Sequence, residues 1–262
     1  MYIFEKKIMA YKLNKSFISK ESEIKKIIES FNTSGEILSK GKRNIIKTVS
    51  FDAIILNIKS FKKPNIINKI VYRFFRKSKA QRSFEYAQIL LDNQIKTPQP
   101  IAYFENFDLL GLSDSYYVCQ HLNADLTYRE LVETDYPDAE NILRQFVHFT
   151  FSMHEKGIEF LDHSPGNTLI IDNKNGTYDF YLVDLNRMKF HSSMNFETRM
   201  KNLSKITPKK EMIALMSNEY AKLYNESEEK IFKTMWRLTQ NFQSRFYRKK
   251  RIKKCLKFWK KL

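Results

Sequence analysis

Three side chains in the second half of the sequence stand in an order that suits phosphoryl transfer. Four residues separate Asp162 from Asn167, directly after a predicted helix, and Asp184 follows one predicted hairpin later. Transfer of a phosphoryl group needs a carboxylate near the acceptor hydroxyl and oxygen ligands for the metal ions that neutralise the phosphates. Kinase catalytic loops supply these groups in this order. A single Asp in a loop is more often a turn former, so the prediction depends on all three residues together.

Two charged residues in the first half fit the same chemistry. Lys59 ends the apolar run Leu56–Lys59, which predicts a strand, and Glu85 lies on the next predicted helix. A strand lysine that holds the α- and β-phosphates, and a helix glutamate that holds the lysine, are required in kinases. Taken singly, Lys59 also reads as a solvated strand lysine and Glu85 as a surface partner of Arg82 or Gln81. The order of all five residues favours the functional interpretation.

The elements that must position Lys59 and Glu85 are mostly strands. The apolar stretch 45–61 predicts two adjacent strands broken near Asp52, and the three- and four-residue spacing over 78–93 predicts a helix. Thr97-Pro98-Gln99-Pro100 ends that helix, because proline cannot continue it. Two more strands are predicted at 101–104 and 116–122, with a turn over 106–115 between them.

The second half of the sequence is predicted to be mainly helical. A helix over 138–156 is followed by Gly157, which is well placed to cap it. Apolar runs at 168–171 and 180–183 flank Asn175-Gly176, a strong hairpin signal. The chain is then mostly helical to about residue 239. A β-rich small lobe followed by an α-rich large lobe is the architecture that this order predicts.

Several motifs resemble the lipopolysaccharide kinase (Kdo/WaaP) family of the protein-kinase-like superfamily. They are Asp162-His163-Ser164-Pro165-Gly166-Asn167, Lys59-Ser60-Phe61-Lys62-Lys63-Pro64, Ser78-Lys79-Ala80-Gln81-Arg82-Ser83 and Thr97-Pro98-Gln99-Pro100-Ile101. The similarity covers about residues 35–189. It implies an α+β, protein-kinase-like two-lobed fold in one domain, with the N-lobe at about 1–120, the C-lobe at about 121–240 and a basic amphipathic tail at 241–262.

The resemblance also implies an activity and roles for the five residues. The family phosphorylates a sugar, Kdo or heptose, in the inner core of lipopolysaccharide, with ATP and Mg²⁺. By correspondence Asp162 is the base, Asn167 and Asp184 bind Mg²⁺, and Lys59 and Glu85 form an ion pair.

Three departures from the family pattern leave a pseudokinase open as an alternative. Asp184 is followed by Leu185-Asn186 instead of an aromatic residue and glycine. Phe160 stands where a histidine often precedes the base, and Gly35 and Gly41 do not form a G-x-G-x-x-G loop. These changes suit a kinase for a small substrate better than a regulated protein kinase.

Composition restricts the partners and the compartment. The 46 Lys and Arg residues against 29 Asp and Glu give a net charge of +17, which favours a polyanion such as nucleic acid, an anionic membrane or a phosphorylated glycolipid. Cys119 and Cys255 cannot build a disulfide framework, so a reducing cytoplasm is expected. Residues 1–20 lack the apolar region of a secretory signal, and no 18-residue uncharged apolar run predicts a membrane span.

Two basic segments are candidate membrane contacts. Residues 53–84 hold nine Lys or Arg and no acid, with apolar residues between them; a helix packed on the small lobe with a solvated basic face is an equal alternative. In 245–262, 10 of 18 residues are Lys or Arg. An apolar stripe there suits a helix lying on an anionic leaflet, and consists of Ile252, Cys255, Leu256, Trp259 and Leu262. RNA is the rival partner, but no recognition module such as an RRM motif is present.

These observations predict an ATP-dependent sugar kinase of the lipopolysaccharide inner core. Its expected partners are ATP, a glycolipid or sugar acceptor and an anionic membrane surface, at the cytoplasmic face of the inner membrane. A soluble small-molecule or protein kinase would share Asp162, Asn167 and Asp184 without needing the tail. A catalytically inactive pseudokinase or RNA-associated module would tolerate the loss of Asp162.

Overall fold

The structure, a computed structural model, describes residues 8–41 and 44–259, with the backbone alone for residues 8 and 256–259. It divides into two compact units. The first runs to Asn123 and includes Asp184–Asn186, and the second comprises Ala124–Val183 and continues from Arg187. No helix in the described ranges has the length and apolar character needed to cross a membrane.

The first unit is built on an antiparallel six-stranded sheet. Its strands are β1 (Ile8–Leu13), β2 (Glu36–Lys40), β3 (Asn44–Phe51), β4 (Ile54–Phe61), β5 (Pro100–Asp108) and β6 (Gly111–Gln120). Their order across the sheet is β1-β5-β6-β4-β3-β2. The predicted break near Asp52 is confirmed: this residue turns β3 into β4 with a φ of +50°. Because β4 lies between β6 and β3 in this order, it is hydrogen-bonded on both sides.

Strands β5 and β6 are longer than predicted. The turn expected over 106–115 is only Leu109 and Leu110, because the polar residues around it belong to the strands. Asn106 and Asp114 face each other in register, and the Asn106 amide donates to Asp114 Oδ1 at 2.5 Å. Both side chains are buried. Asn and Asp are also common turn formers, so the sequence alone did not distinguish this paired position in two strands from a turn.

Helices cover both faces of this sheet. They are a 3₁₀ turn (Lys15–Lys20), α1 (Glu21–Glu29), α2 (Ile66–Phe74) and α3 (Lys79–Asp92). Helix α1 buries Ile24 and Ile28 in a core that includes Phe104. Helix α3 places Phe84 edge-on against Tyr103, 5.5 Å between ring centroids. Neighbouring strand residues point to opposite faces, so α1 and α3 pack on opposite sides of the sheet.

The elements before β3 add to the predicted architecture. Strand β1 pairs with β5 along one edge, and β2 pairs with β3 along the other.

Helix α3 agrees with the helix predicted over 78–93: Ser78 caps its N-terminus by accepting from the backbone N–H of Gln81, at 3.0 Å.

The second unit combines helices with short strands. These elements are β7 (Leu126–Thr127), α4 (Tyr128–Glu133), α5 (Ala139–Glu155), β8 (Ile158–Phe160), a 3₁₀ turn (Pro165–Asn167), β9 (Thr168–Asp172), β10 (Tyr178–Leu182), β11 (Met188–Phe190), α6 (Phe196–Leu203), α7 (Lys210–Leu223) and α8 (Glu228–Trp259). The predicted hairpin is β9–β10, paired antiparallel. Gly157 follows α5 with a φ of +68°, the conformation expected of a glycine that ends a helix.

Phe146 of α5 lies at the centre of the second unit's core. Its ring contacts Tyr128, His163 and Phe180 at centroid distances of 4.5 to 5.6 Å. Buried residues of α6, α7 and α8 extend the same cluster. The core therefore joins the main helices to the β9–β10 hairpin and to the loop that contains His163.

Helix α8 continues through residue 241 without interruption. Seven Lys or Arg lie between residues 245 and 254, and these side chains are exposed. Ile252 and Cys255 of the predicted stripe are also exposed. The side chains of Leu256 and Trp259, and the whole of Leu262, lie outside the described residues.

Candidate active site

Lys59 lies on the interior strand β4, opposite Ile46 and Tyr117 in its two neighbours. Leu56 and Ile58 are fully buried, which fixes the direction of the strand. The Lys59 side chain is 13% exposed, and its Nζ lies 2.8 Å from Asp184 Oδ1. The structure thus brings together two of the five predicted site residues as an ion pair.

Asp184 is held by its backbone and by Asn186. Its φ of +60° is in the left-handed region, which Asp and Asn tolerate better than most residues. The Asn186 side chain donates to Asp184 Oδ1 at 2.6 Å, and Arg82 of α3 donates to the Asn186 backbone carbonyl at 2.8 Å. Hydrogen bonds from Arg82 to Asn186 and from Asn186 to Asp184 therefore connect helix α3 to the Lys59–Asp184 pair.

Lys59 and Glu85, which the sequence predicted to form an ion pair, have other partners in the structure. Glu85 accepts from Lys77 Nζ at 2.8 Å and from the Gln81 amide at 3.0 Å. Lys59 has Asp184 as its carboxylate partner instead. The reason is local. Lys77 precedes Ser78, the N-cap of α3, and Gln81 lies one turn before Glu85, so both contact Glu85 from the N-terminal end of the same helix. The surface pairing with Gln81 that the sequence left open is the one that the structure has.

Glu105 is an acidic group near Glu85 that the sequence interpretation did not use. It lies buried on β5. Burial raises the pKa of Glu105, hydrogen bonds from Ser78 lower it, and repulsion from Glu85 raises it again. Glu105 is therefore a buried carboxyl of the first unit whose charged form is disfavoured mainly by burial.

The loop from Asp162 to Asn167 is closed by its own last residue. The Asn167 side-chain N–H donates to the Asp162 carbonyl at 2.8 Å. The Asn167 carbonyl accepts from the N–H of Val183 at 3.0 Å, and Val183 directly precedes Asp184 in the chain. Asn167 therefore fixes the backbone of Asp162 and keeps its side-chain carbonyl oxygen as an acceptor.

Asp162 has basic groups around it that the sequence did not reveal. Arg187 Nη1 lies 3.1 Å from Asp162 Oδ1, with both side chains partly exposed. Lys205 Nζ donates to the Leu161 carbonyl at 2.5 Å. Burial lowers the pKa of Lys205, and attraction to the Asp162 carboxylate opposes this. Asp162 thus sits beside two cations, of which Lys205 is half-buried.

A buried polar network lies beneath this loop. His163 and His154 are fully buried, and each places a ring nitrogen 3.1 Å from Asn202 Oδ1. The Asn202 amide donates to the Phe160 carbonyl at 2.8 Å. Burial lowers the pKa of His154 to about 3 and of His163 to about 4, so both rings are neutral at pH 7. Asn202 joins the two histidines to the strand that leads into the loop.

The donors available to a metal ion are oxygens. Asp184 offers a carboxylate and Asn167 an amide carbonyl, the ligand types that Mg²⁺ prefers. Within the described ranges no three His, Cys, Asp or Glu side chains are grouped to hold a metal. Magnesium in phosphoryl-transfer sites commonly uses one or two protein ligands and completes its shell with phosphate and water. The residue types therefore fit a magnesium–nucleotide complex.

The residues that the sequence interpretation missed are Arg82, Asn186, Arg187, Asn202 and Lys205. Each acts through a contact distant in sequence, such as the 104 residues between Arg82 and Asn186. One signal was available: Arg187 and Asn186 follow Asp184 closely, where the aromatic-glycine pair is missing. Arg82 belongs to the motif Ser78–Ser83, which carried the family resemblance without a role for the arginine.

Comparison with solved structures defines the fold. The chain is similar to WaaP in complex with acyl carrier protein, with a TM-score of 0.62 and 13% sequence identity over 90% of this chain and 97% of that chain. This chain has the protein-kinase-like α+β fold. The architecture predicted from the sequence is confirmed. A Stt7 homologue from Micromonas algae, soaked with ATP, is similar at a TM-score of 0.40 and 14% identity, over 58% of this chain and 48% of that chain.

At this identity the likeness concerns the fold and leaves substrate and activity to be argued from the residues. No protein-family model matches the sequence. No curated protein sequence matches it either.

Proposed function

We propose that the protein is an ATP-dependent kinase that transfers the γ-phosphoryl group to an alcohol. The observation that carries this proposal is the closed loop from Asp162 to Asn167, in a chain with a protein-kinase-like fold. Catalytic loops of kinases need a carboxylate fixed by its backbone and an amide oxygen for the metal. Asn167 is suited to both demands, because its side-chain N–H donates to the Asp162 carbonyl and its side-chain oxygen is an acceptor.

In the proposed reaction Asp162 orients the acceptor hydroxyl and takes its proton. The bond between the γ-phosphorus and the β,γ-bridging oxygen breaks, the bond to the acceptor oxygen forms, and ADP leaves. Lys59 binds the α- and β-phosphates. Magnesium bound together with ATP would supply neutralisation of the developing negative charge. Asp184 and Asn167 would hold that ion. Arg187 orients the Asp162 carboxylate, and Lys205 holds the neighbouring Leu161 carbonyl.

The acceptor that we propose is a Kdo or heptose hydroxyl of the lipopolysaccharide inner core. The sequence resemblance and the fold shared with WaaP support this choice over an unrelated small molecule. The net charge of +17 also suits a phosphorylated glycolipid presented on an anionic leaflet. We propose the cytoplasmic face of the inner membrane as the site of action, with the exposed basic end of α8 contributing to binding there.

Two measurements test the proposed function. Purified protein with Mg-ATP should phosphorylate a delipidated inner-core oligosaccharide, read by mass spectrometry of the product. In cells, lipid A-core from a strain lacking the gene should have one phosphate fewer on a core sugar. If the phosphate content of the core is unchanged, the glycolipid is excluded as the acceptor. Phosphate transfer to another alcohol would then support the alternative of a soluble kinase.

A non-catalytic nucleotide-binding protein is the second candidate. The observation in its favour is that Lys59 pairs with Asp184, while Glu85 is occupied by Lys77 and Gln81. Such a protein would bind ATP without turnover of any acceptor. ADP production that depends on the oligosaccharide excludes this candidate.

A further inference from the structure

Helix α2 and the tip of the β5–β6 hairpin expose a group of large apolar side chains. Their exposed fractions range from 42% to 85%. We name this group the apolar cap, and it consists of Ile66, Ile67, Ile70, Phe74, Phe75, Leu109 and Leu110. Single exposed apolar side chains are normal on a soluble protein, whereas a group of them on neighbouring elements marks a candidate interaction surface.

The cap residues of α2 lie on one side of the helix. At 100° per residue, Ile66, Ile70 and Phe74 fall close together, and Ile67 is at about 100° from Ile66. Lys69 and Arg73 lie next to this stripe and point to the hairpin. Lys69 Nζ binds the Asp108 carboxylate, and Arg73 Nη1 donates to the Leu109 carbonyl at 3.0 Å.

The helix and the hairpin are held tightly against each other. Gly111 has a φ of +132°, and a Cβ at this position would lie 2.5 Å from the Lys69 carbonyl oxygen. Only glycine permits this approach. At the other end, Asn65 caps α2 by accepting from the Asn68 N–H at 2.9 Å. The cap is therefore a fixed feature of the fold, presented by two elements at once.

The charges around the cap are positive. The segment 53–84 contains no acid, and Lys62, Lys63 and Arg76 are exposed within it. Asp108, the acid at the hairpin tip, is neutralised by Lys69. A cleft of about 450 Å³ beside the N-terminal end of α2 is lined by Lys62, Lys63, Asn65 and Asn68 among others. Ammonium and amide donors at that position suit a phosphate.

We propose that the apolar cap inserts into a bilayer that contains anionic lipid, with Lys62 and Lys63 on the headgroup phosphates. Apolar side chains above a ring of cations match the arrangement of a bilayer surface, in which acyl chains lie beneath anionic headgroups. A protein partner fits less well, because lysine is depleted at protein–protein interfaces. The proposal does not rest on phosphoryl transfer, since none of these residues belongs to the candidate active site.

Vesicle binding of the full chain tests the cap. The triple variant Ile67→Ser, Phe74→Ser, Phe75→Ser should bind vesicles of phosphatidylglycerol and phosphatidylcholine about 1000-fold more weakly, given about tenfold for each of the three large apolar side chains that leave the bilayer. A matched variant changes apolar residues of similar exposure elsewhere in the same unit: Ile18→Ser, Ile37→Ser, Leu38→Ser. It should bind within about twofold of the wild type. Equal losses in the two variants, or none in the first, would overturn the proposal.

A second measurement locates the insertion directly. Leu109→Trp should be quenched by phospholipids that carry bromine on their acyl chains, beyond the quenching of the wild-type chain. Ile37→Trp is the control and should gain no such quenching. A bound Leu109→Trp chain without added quenching overturns insertion, and points to a protein partner or to the basic end of α8 as the binding element.

The cap triple variant also separates this proposal from the proposed function. Because its side chains are exposed, its melting temperature and its phosphorylation of a soluble oligosaccharide should stay at wild-type values. Loss of vesicle binding with retained activity supports the cap by itself. Retained vesicle binding with retained activity refutes the cap and leaves the kinase proposal standing.

Discussion

The Lys59–Asp184 pair and the Asp162 loop are supported in different ways. Lys59 projects from a strand that is hydrogen-bonded on both sides, and its side chain is only 13% exposed. Asp162 lies on a loop, with its side chain 37% exposed, and depends on Asn167 and on the buried His163–Asn202 network. The lysine is thus positioned by backbone hydrogen bonds of a sheet, and the carboxylate by side chains. Single substitutions should therefore disturb the two regions differently.

The largest expected effect is on turnover. Asp162→Asn removes the proton acceptor and should lower kcat by about 10² to 10⁴-fold, the usual contribution of a positioned base. The affinity for ATP should change little, because the base contacts the acceptor and not the nucleotide. Asp92→Asn, an exposed acid at the end of α3, is the control and should leave kcat unchanged. Near-normal turnover in Asp162→Asn would remove this residue from the proposed mechanism.

The Lys59 side of the comparison is tested through nucleotide binding. Asp184→Asn keeps a side chain that tolerates the left-handed backbone at φ +60° and removes the charge. Stabilisation by Mg-ATP in a thermal melt should then be lost, because the carboxylate ligand is gone. The melting temperature without ligand should fall only slightly, since Asp184 is 33% exposed. An unchanged Mg-ATP shift would contradict the ligand role.

The sequence predicted the protein-kinase-like fold because local patterns determine its main elements. The turn at Asp52, the helix that Ser78 caps and the Asn175-Gly176 hairpin each carry their own signal. Contacts distant in sequence carried no such signal. Lys59 binds an acid 125 positions further on, and Asn202 supports a loop about 40 positions earlier. The Lys59–Glu85 pair was predicted from the order of the residues along the chain, whereas in the structure Lys77 and Gln81 contact Glu85 locally.

The buried network gives the next largest effect, on stability. Asn202→Ala removes the acceptor of His154 and His163 and the donor to the Phe160 carbonyl. Unpaired buried polar groups cost about 1–3 kcal/mol each, so the free energy of unfolding should fall by about 2–5 kcal/mol. Asn241→Ala on exposed α8 is the control, with an expected change within about 0.5 kcal/mol. Urea unfolding measures both; equal effects would mean that the network carries no stability.

The same histidines make stability depend on pH. Both have a pKa below the ordinary 6.5 in the folded state, about 3 for His154 and about 4 for His163, because burial disfavours the charged ring. Between pH 6.5 and about 4 the unfolded chain binds more protons, so the free energy of unfolding should fall as pH falls through this window. His163→Gln should reduce that slope. An unchanged slope in His163→Gln would exclude this buried ring as the cause.

The smallest expected effect concerns Glu85, and it decides whether the Lys59–Asp184 pair is the working arrangement. Glu85 binds Lys77, whose side chain is 58% exposed, and such pairs contribute about 0–1 kcal/mol. Glu85→Gln should therefore lower turnover by no more than about threefold.

Lys77→Gln is the matched variant, because it frees Glu85 without touching Lys59. If Lys59 instead changes partner to Glu85 when the nucleotide binds, Glu85→Gln would cost about 10²-fold or more. In that case Lys77→Gln would raise turnover, since Lys77 would be competing for Glu85. A small effect of both variants would mean that the sheet and Asp184 suffice to position Lys59, without the helix glutamate that kinases otherwise use.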